Sequence, residues 1–405
     1  MNNPSASIRA HQPFIDSLRG WAALSVMCYH TFGLNYFAAF PGAHWLAALQ
    51  AHRAAVLLFF TISGYVIGSS HNSAWSAESV RRYGWRRFLR IEPIYLVALI
   101  LGTIASPPFS LTELGGNGLF LQSFDQDSPG QIAPLNGNTP LWSLHNEVVY
   151  YLLFVLWWRW PVTIPLFLAG GVIASFGGAA LPVLPAYLTS HGTGMVFWLT
   201  GLLISRCPTL NEPVRGGWIW AQICWLHAAQ HAATLTLIFS GLHLIGPVRN
   251  WLHCGDFVLL PGCVTLVALA GQKQIPWARH WQMMSFLVCA AGCFILLAAR
   301  KPLDEPRWAA VLFFTLAGLL AAWGQPVKAL PLATRIGTFS YGLYAVHMPI
   351  LILVSSRCAA FPSAMVAVGG VLLAWTLSLL LASWLELRWQ PWIRALLEPA
   401  PPAKS

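Results

Sequence analysis

Long apolar segments recur along the whole chain, and they constrain its fold more than any other feature. A helix of about 20 residues crosses the roughly 30 Å of membrane hydrocarbon, and ten to twelve segments come close to this length. Charged residues make up only 9% of the chain, against roughly 25% in soluble globular proteins. The sequence therefore predicts an all-α, polytopic transmembrane helix bundle of about 10–12 spans surrounded by membrane lipids. The predicted spans lie near residues 17–38, 53–70, 91–107, 141–158, 162–183, 192–206, 217–245, 255–271, 282–299, 306–324, 336–355 and 362–386.

The distribution of charge between the apolar segments predicts the orientation of the bundle. Five arginines lie in the stretch 81–90, which we expect to be the loop between the second and third spans. No Lys or Arg then occurs before Arg159, and the loop near 107–140 contains acidic residues, Asp125 and Asp127 among them. Because basic loops stay in the cytoplasm, we expect the arginines and both termini on the cytoplasmic side, in a bacterial inner membrane. The loop near 107–140 is then external, either as a functional surface or as a polar linker.

We expect one membrane domain, 13–392, between two short cytoplasmic tails, 1–12 and 393–405. The first residues lack the apolar core of a cleavable signal peptide. The first span would therefore direct insertion itself. Nothing in the sequence predicts an oligomeric state.

The net charge of +10 does not indicate nucleic-acid binding, because the basic residues lie in short clusters between apolar segments rather than on a folded basic face. His227 and His231 have the i, i+4 spacing of helical zinc ligands. The Glu that follows the first His in hydrolytic zinc helices is missing. We therefore predict no nucleic-acid partner and no metal.

Ionisable residues at membrane depth are costly and indicate function. Arg19 and His30 are eleven positions apart, so on a regular helix they share one face, with His30 about 16 Å deeper. A neutral imidazole at that depth can accept a proton from a hydroxyl group. The alternative is a structural histidine bonded to a neighbouring helix.

Glu147 is an acidic residue well inside an apolar segment, about 9 Å along its helix. A buried carboxylate needs a cationic or hydrogen-bonding partner, and a pair with His30 is one possibility. Ser143, Tyr150 and Tyr151 lie on neighbouring faces of the same helix. A purely structural tie between helices remains the alternative.

A second polar stripe is predicted on the span near 336–355. Ser340, Tyr344 and His347 align at i, i+4 and i+7, and His347 reaches the middle of the membrane. This stripe either contributes to a site or packs against other helices.

Arg86, Arg87 and Arg90 lie where the third span leaves the cytoplasm. They either anchor the topology or bind phosphate, because a guanidinium group binds phosphate oxygens through two parallel hydrogen bonds.

Taken together and in order, five segments resemble the membrane-bound acyltransferase 3 family. They are 15–20 (IDSLRG) with His30, 59–65 (FFTISGY), 87–95 (RFLRIEPIY), 142–151 (WSLHNEVVYY) and 340–347 (SYGLYAVH). Ser17 stands where the family usually has Gly. The residues after Glu386 also differ from the usual pattern, which leaves Glu386 without an assigned role.

The resemblance implies an enzyme that transfers an acyl group, usually acetyl from cytoplasmic acetyl-CoA, to a hydroxyl group of a sugar or glycan precursor. It also implies that His30 is the essential histidine and that Arg87 and Arg90 form the family's Arg-x-x-Arg motif.

On this basis we expect Arg19, Arg86, Arg87 and Arg90 to hold the CoA phosphates and His30 to act as general base or, alternatively, as acyl carrier. Glu147 would orient His30. The residues expected to polarise the carbonyl or bind the acceptor are Ser63, Ser143, Tyr150, Tyr344 and His347.

A secondary transporter that exports a glycan or a small acid is the main alternative function. Transporters also bury His and Glu, but they are commonly built from paired halves with broken helices, and no such internal repeat is visible here. A membrane sensor or scaffold would not explain so many polar groups at mid-depth.

Overall fold

The computed structural model describes residues 13–71, 74–108, 110–123, 132–180, 186–211, 214, 216–232, 254–298, 305–324 and 329–397. Over these ranges the chain is helical, and pairing between extended residues is limited to two isolated β-bridges. The predicted tail 1–12, the part of the predicted span 217–245 after residue 232, and the acidic residues Asp125 and Asp127 lie outside the described residues.

We number the α-helices of these ranges in chain order. The first eight are α1 (Pro13–Cys28), α2 (Ala43–Ala47), α3 (His52–Ser70), α4 (Ala77–Ala105), α5 (Leu111–Gly118), α6 (Trp142–Arg159), α7 (Ile164–Ala180) and α8 (Ala186–Arg206). The others are α9 (Gly216–Ala232), α10 (Leu260–Ala270), α11 (Ala278–Ala298), α12 (Pro306–Trp323), α13 (Pro331–Gly337), α14 (Ser340–Cys358), α15 (Ala364–Trp384) and α16 (Gln390–Leu397). Two π-helical turns, Tyr29–Gly33 and Leu385–Trp389, follow α1 and α15.

Several helices are long and apolar enough to cross a membrane, which confirms the predicted all-α, polytopic fold. Within the described ranges five helical stretches meet this condition, or up to seven if each of two bent pairs counts as one span. The five are Ala43–Ser70, Ala77–Ala105, Ala278–Ala298, Pro306–Trp323 and Ala364–Leu397. The number of ten to twelve spans stays a prediction.

The stretch 81–90 is helical, so the prediction that it forms a loop was wrong. It belongs to α4, which begins at Ala77 and continues to Ala105 without interruption. The Ser76 side chain accepts a hydrogen bond from the backbone N–H of Ser79 at 3.1 Å, a cap that satisfies an otherwise unbonded N–H of the first turn. The arginines therefore project from a rigid helix.

The predicted span near 336–355 is broken at its start. The short helix α13 ends at Gly337, and α14 begins at Ser340 after a bend of 81°. Residues 393–397 were expected in the C-terminal tail, but they belong to α16. Both differences bring additional residues to the same end of the bundle as the arginines of α4.

Glycines allow two pairs of helices to approach each other closely. A Cβ atom at Gly20 of α1 would lie 1.9 Å from the Ala333 carbonyl oxygen of α13. A Cβ atom at Gly64 of α3 would lie 1.9 Å from the Trp198 carbonyl oxygen of α8. A Cβ atom at Gly201 of α8 would lie 1.9 Å from the Thr61 carbonyl oxygen of α3. Such close backbone contact through small residues is typical of helix association in membranes. It sets the positions of α1 and α3, which carry Arg19 and Ser63.

We expect Gly64→Ala to lower the thermal stability of the protein in detergent. The added methyl group would overlap a backbone carbonyl, so α3 and α8 must separate at a cost of about 1–3 kcal/mol or more. Gly84→Ala on α4 is the control, because a Cβ atom there meets nothing within 4 Å and the helix gains up to about 1 kcal/mol. Unfolding monitored by tryptophan fluorescence measures both. Equal melting temperatures for the two variants would contradict the close approach.

Candidate active site

A cavity of about 560 Å³ lies at the end of the bundle where α1 and α14 begin and where the arginines of α4 are found. Its polar walls come from α1, α3, α4, α6, α14 and α16. Among the described residues, the polar ones that line it are Asp16, Arg19, Ser63, Arg86, Arg87, Arg90, Ser143, Glu147, Tyr151, Thr338, Ser340, Tyr341, Tyr344 and Arg394. We call this the arginine cavity. It brings together all four arginines that the sequence predicted as donor ligands.

A second cavity of about 430 Å³ contains His30. It is lined mainly by apolar side chains of α1, α3 and the segment before α6, together with His30, His52, Arg53, Ser190, Thr193 and Asp256. We call this the histidine cavity. Arg19 and His30 thus line different cavities. Val26, seven residues after Arg19 on the regular part of α1, also lines the histidine cavity, so the two cavities lie at different depths along one helix face, as regular spacing predicted.

Arg90 is held in place by an ion pair with Glu386. One guanidinium nitrogen lies 2.7 Å from Glu386 Oε1, and the other is 3.4 Å from Gln390 Oε1. The second oxygen of Glu386 accepts a hydrogen bond from the Gly342 N–H at 2.8 Å. One carboxylate therefore links α4, α14 and the π-helical turn after α15. This role of Glu386 could not be assigned from the sequence, because its partners are distant in the chain.

Two further arginines face the cavity through aromatic or acidic neighbours. The Arg87 guanidinium lies 5.7 Å from the ring centre of Tyr83 and 5.5 Å from that of Tyr151, within range for cation–π attraction. The Arg87 Nε atom is buried and has no hydrogen-bond partner among the described residues. Arg19 is 4.0 Å from Asp16 on the same helix. Because Arg87 Nε has no hydrogen-bond partner among the described residues, the Arg87 guanidinium group keeps a hydrogen-bond donor for an anionic ligand.

Arg394 also lines the arginine cavity, and sequence reasoning missed it. It lies on α16, in a segment that was expected to be a tail. The signal that could have indicated a packed helix is the helical i, i+4 spacing of apolar residues in 390–397 (QPWIRALL), where Trp392 and Ile393 are followed by Leu396 and Leu397.

Glu147 does not orient His30, and the predicted pair is corrected by the structure. Its carboxylate accepts hydrogen bonds from Ser63 Oγ at 2.8 Å and from the Tyr151 hydroxyl group. Ser63 Oγ in turn accepts a bond from Trp198 Nε1 at 3.3 Å. Ser63, Glu147 and Tyr151 all line the arginine cavity, whereas His30 lines the histidine cavity. The carboxylate of Glu147 therefore belongs to a different cavity from His30.

His347 is the partner of His30. Its Nε2 atom lies 2.9 Å from His30 Nδ1, and its Nδ1 atom lies 2.9 Å from the Leu343 carbonyl oxygen. A carbonyl oxygen only accepts, so His347 Nδ1 carries the proton and His347 Nε2 is an acceptor when the ring is neutral. His30 Nδ1 must then donate. This chain of hydrogen bonds leaves Nε2 of neutral His30 without a proton, as a general base requires.

Tyr344 joins the two cavities. Its hydroxyl group donates to the Pro140 carbonyl oxygen at 2.8 Å and lies 2.7 Å from Ser143 Oγ. Both Ser143 and Tyr344 line the arginine cavity, and their role near the reacting carbonyl stays a prediction. Tyr150 lies in neither cavity, because its hydroxyl group donates to the His191 carbonyl oxygen at 2.8 Å within the packed core. Its predicted role at the site has no geometric basis.

An ion pair in the histidine cavity was not predicted. Arg53 Nε and Nη2 donate to the two carboxylate oxygens of Asp256 at 2.6 and 2.5 Å. Next to it, the His52 ring stacks on Tyr29 with 3.5 Å between ring centres. Their positions at the ends of apolar segments indicated only helix boundaries, so their convergence was not visible in the sequence.

His227 and His231 have the spacing of zinc ligands, but His227 is held by packing and hydrogen bonding. His227 Nε2 lies 3.1 Å from the Leu49 carbonyl oxygen, and its ring stacks on Phe314 with 4.4 Å between centres. Over the described ranges no group of three or more His, Cys, Asp or Glu side chains is placed to hold a metal ion.

Comparison with known proteins identifies the family. The profile of the acyltransferase 3 family, an acyltransferase domain, matches residues 12–383. The chain belongs to this family. It is therefore a membrane acyltransferase, and the resemblance carried by the five sequence segments is confirmed.

Two curated relatives agree with this assignment. The acyltransferase is 36% identical over 358 residues to the acyltransferase MdmB of Streptomyces mycarofaciens, and the match covers 84% of this chain and 79% of MdmB. It is 28% identical over 178 residues to the peptidoglycan O-acetyltransferase OatA of Listeria monocytogenes, which covers 40% of this chain but only 25% of OatA. The similarity to MdmB thus extends over most of both proteins. No solved structure matches the chain.

We expect Glu386→Gln to destabilise the acyltransferase by about 3 kcal/mol, because it leaves Arg90 without its carboxylate. The Glu386 side chain is only 1% exposed. Glu78→Gln is the matched control, since its ion pair with Arg82 is 68% exposed on the Glu side and such surface pairs contribute about 0–1 kcal/mol. Thermal unfolding in detergent compares the two. A larger loss for Glu78→Gln would contradict the structural role of Glu386.

Proposed function

We propose that this acyltransferase moves an acyl group, acetyl in the first instance, from cytoplasmic acyl-CoA to a hydroxyl group of a sugar or glycan precursor. One observation carries the proposal: a cavity lined by five arginines adjoins a second cavity that contains His30, whose hydrogen bond with His347 assigns the proton of the neutral ring to Nδ1. The first suits a polyanionic donor and the second suits proton removal from a hydroxyl group. The two cavities share lining residues, which would place donor and acceptor next to each other.

The arginine cavity is the proposed donor site. Arg19, Arg86, Arg87, Arg90 and Arg394 all line it, and CoA carries phosphate groups that need several cationic partners in a region of low dielectric constant. The positive-inside rule supports a cytoplasmic position for this end of the bundle, and with it an inner-membrane protein with cytoplasmic termini. The pantetheine arm would then extend past Ser63 and Glu147, which offer polar groups to its amides.

The histidine cavity is the proposed acceptor site. His30 Nε2 takes the proton of the acceptor hydroxyl group as its oxygen attacks the thioester carbonyl carbon. The carbon–sulfur bond breaks, the ester carbon–oxygen bond forms, and the CoA thiolate receives a proton from the imidazolium. The products are the O-acyl acceptor and CoA with a free thiol. The oxyanion that develops on the carbonyl would be stabilised by the hydroxyl group of Ser143, which can turn its proton from the Tyr344 oxygen toward the substrate.

His347 takes the positioning role that sequence reasoning had given to Glu147. Its Nε2 accepts from His30 Nδ1, which fixes the tautomer and the orientation of the His30 ring, and it stabilises the imidazolium after proton transfer. This arrangement favours His30 as general base, the first of the two roles considered from the sequence.

The acceptor class rests on chemistry and on one relative. The name of OatA describes O-acetylation of peptidoglycan, which supports a hydroxyl group on a glycan as acceptor. Since the family consists of acyltransferases, membership favours the enzyme over a secondary transporter that would act without chemistry.

We expect His30→Ala to lower acyl transfer by about 10²–10⁴-fold, the usual contribution of a general base. The assay follows radiolabelled acetyl-CoA into the glycan and lipid fractions of membrane vesicles from the source organism. His347→Leu should also lose activity, whereas His347→Gln should recover part of it, because an amide oxygen can still accept from His30 Nδ1. CoA should still raise the melting temperature of all three variants. Acyl transfer by His30→Ala at the wild-type rate would contradict the role of His30 as general base.

We expect Arg87→Ala and Arg394→Ala to raise KM for acetyl-CoA about tenfold with a smaller change in kcat, because each removes a charge-assisted contact to phosphate. Arg82→Ala is the control, since Arg82 lies on the same helix as Arg87 but pairs with exposed Glu78 outside the cavity. Initial rates over a range of acetyl-CoA concentrations give both constants. An equal rise of KM in the control would show a general effect of surface charge instead of a donor site.

A further inference from the structure

The two cavities are separated by a wall that is one side chain thick. Among the described residues, Val56, Phe60 and Tyr344 are the ones that line both cavities. All three are buried, with exposed fractions of 8%, 3% and 6%. Anything that passes from the arginine cavity to the histidine cavity by this route must therefore pass these side chains.

Tyr344 is the most firmly held part of the wall. Its hydroxyl group is bonded to Pro140 and Ser143 at the start of α6, and its ring lies edge-on to Phe59 at 5.9 Å between centres. Two hydrogen bonds in an apolar surrounding are costly to break. Tyr344 is thus held in a fixed position in the wall.

Val56 and Phe60 form the rest of the wall. They are four residues apart on α3, so their side chains lie on the same face of the helix. Phe60 packs edge-on against Tyr150 at 5.5 Å and Trp142 at 6.5 Å between ring centres. Behind it is Gly194, where a Cβ atom would lie 3.0 Å from the Phe60 ring. Val56 is branched at Cβ and has few rotamers. This part of the wall is also tightly packed.

We infer that Val56, Phe60 and Tyr344 form a sizing wall that sets the length of the acyl group this enzyme transfers. The inference rests on the proposed function, in which the thioester is presented from the arginine cavity to a hydroxyl group in the histidine cavity. The acyl chain then has to fit against the side chains of Val56, Phe60 and Tyr344. A short acyl group needs little room there, whereas each added methylene must displace a packed side chain.

The energetic scale of such a wall makes the inference testable. One methylene group that fits or does not fit an apolar site changes specificity by about 1–3 kcal/mol, or roughly 10–200-fold. Val56→Ala removes two γ-methyl groups, which creates room comparable to one or two methylenes of an acyl chain. A change of specificity on this scale is measurable.

The experiment compares Val56→Ala and Phe60→Leu with the wild type on acetyl-, propionyl-, butyryl- and hexanoyl-CoA in membrane vesicles from the source organism. CoA release and acylated product are measured by mass spectrometry. We expect the ratio of kcat/KM for butyryl-CoA to that for acetyl-CoA to rise at least tenfold in both variants. Val56→Ile, which adds a methylene to the wall, should lower the same ratio.

Val264→Ala is the matched control. Val264 is 3% exposed in the core and lines neither cavity, so its substitution should change the ratio less than twofold. The sizing wall would be overturned by a ratio that stays constant in Val56→Ala, Phe60→Leu and Val56→Ile, or by an equal shift in Val264→Ala. In that case, transfer by the wild type would still leave the proposed function intact. Failure of the proposed function is recognised separately, because the wild type would then transfer no acyl group from any of the four donors and would not be stabilised by CoA. If Val56→Ala does not fold, Phe60→Leu and Val56→Ile decide the question.

Discussion

An ionisable side chain inside an apolar helix bundle must find its partner within the protein, because neither lipid nor bulk water can supply one. The ion pair of Arg90 with Glu386 meets this need and ties the arginine helix to the end of α15 and the start of α14. Arg53 and Asp256 meet it at the histidine cavity, and His30 meets it through His347. The same contacts that compensate for burial therefore also determine which helices are neighbours. The geometry of both cavities depends on them.

The proposed division of function between the two cavities follows from how charge is distributed. Cationic side chains gather at one end, on α1, α4 and α16, where the proposed anionic donor would bind. At His30 the arrangement is different, because the hydrogen bonds of two neutral imidazole rings end on a backbone carbonyl and no carboxylate contacts them among the described residues. A neutral chain of this kind keeps Nε2 of His30 available as a base. Between these regions lies the wall formed by Val56, Phe60 and Tyr344.

Irregular backbone accounts for several features that regular helical geometry could not predict. His30 and Glu386 both lie in π-helical turns, which change the direction of the side chains that follow. The two cavities lie at different depths along α1, because Arg19 lines the arginine cavity and Val26, seven residues later, already lines the histidine cavity. The bend of 81° between α13 and α14 similarly brings Thr338 and Ser340 to the arginine cavity. Turns of this kind leave no clear mark in the periodicity of a single sequence.

The class of the fold was determined by the sequence itself, since long apolar segments in water-poor surroundings have to satisfy their backbone hydrogen bonds as helices. His30, Arg87, Arg90 and His347 could be selected as candidates for a related reason: polar groups are conspicuous in apolar segments, and their order resembled a known family. Only the tertiary structure decided the partners. His30 contacts His347 instead of Glu147, Glu386 pairs with Arg90, and Arg394 lines the arginine cavity. These contacts join residues far apart in the chain through helix packing that no local pattern encodes.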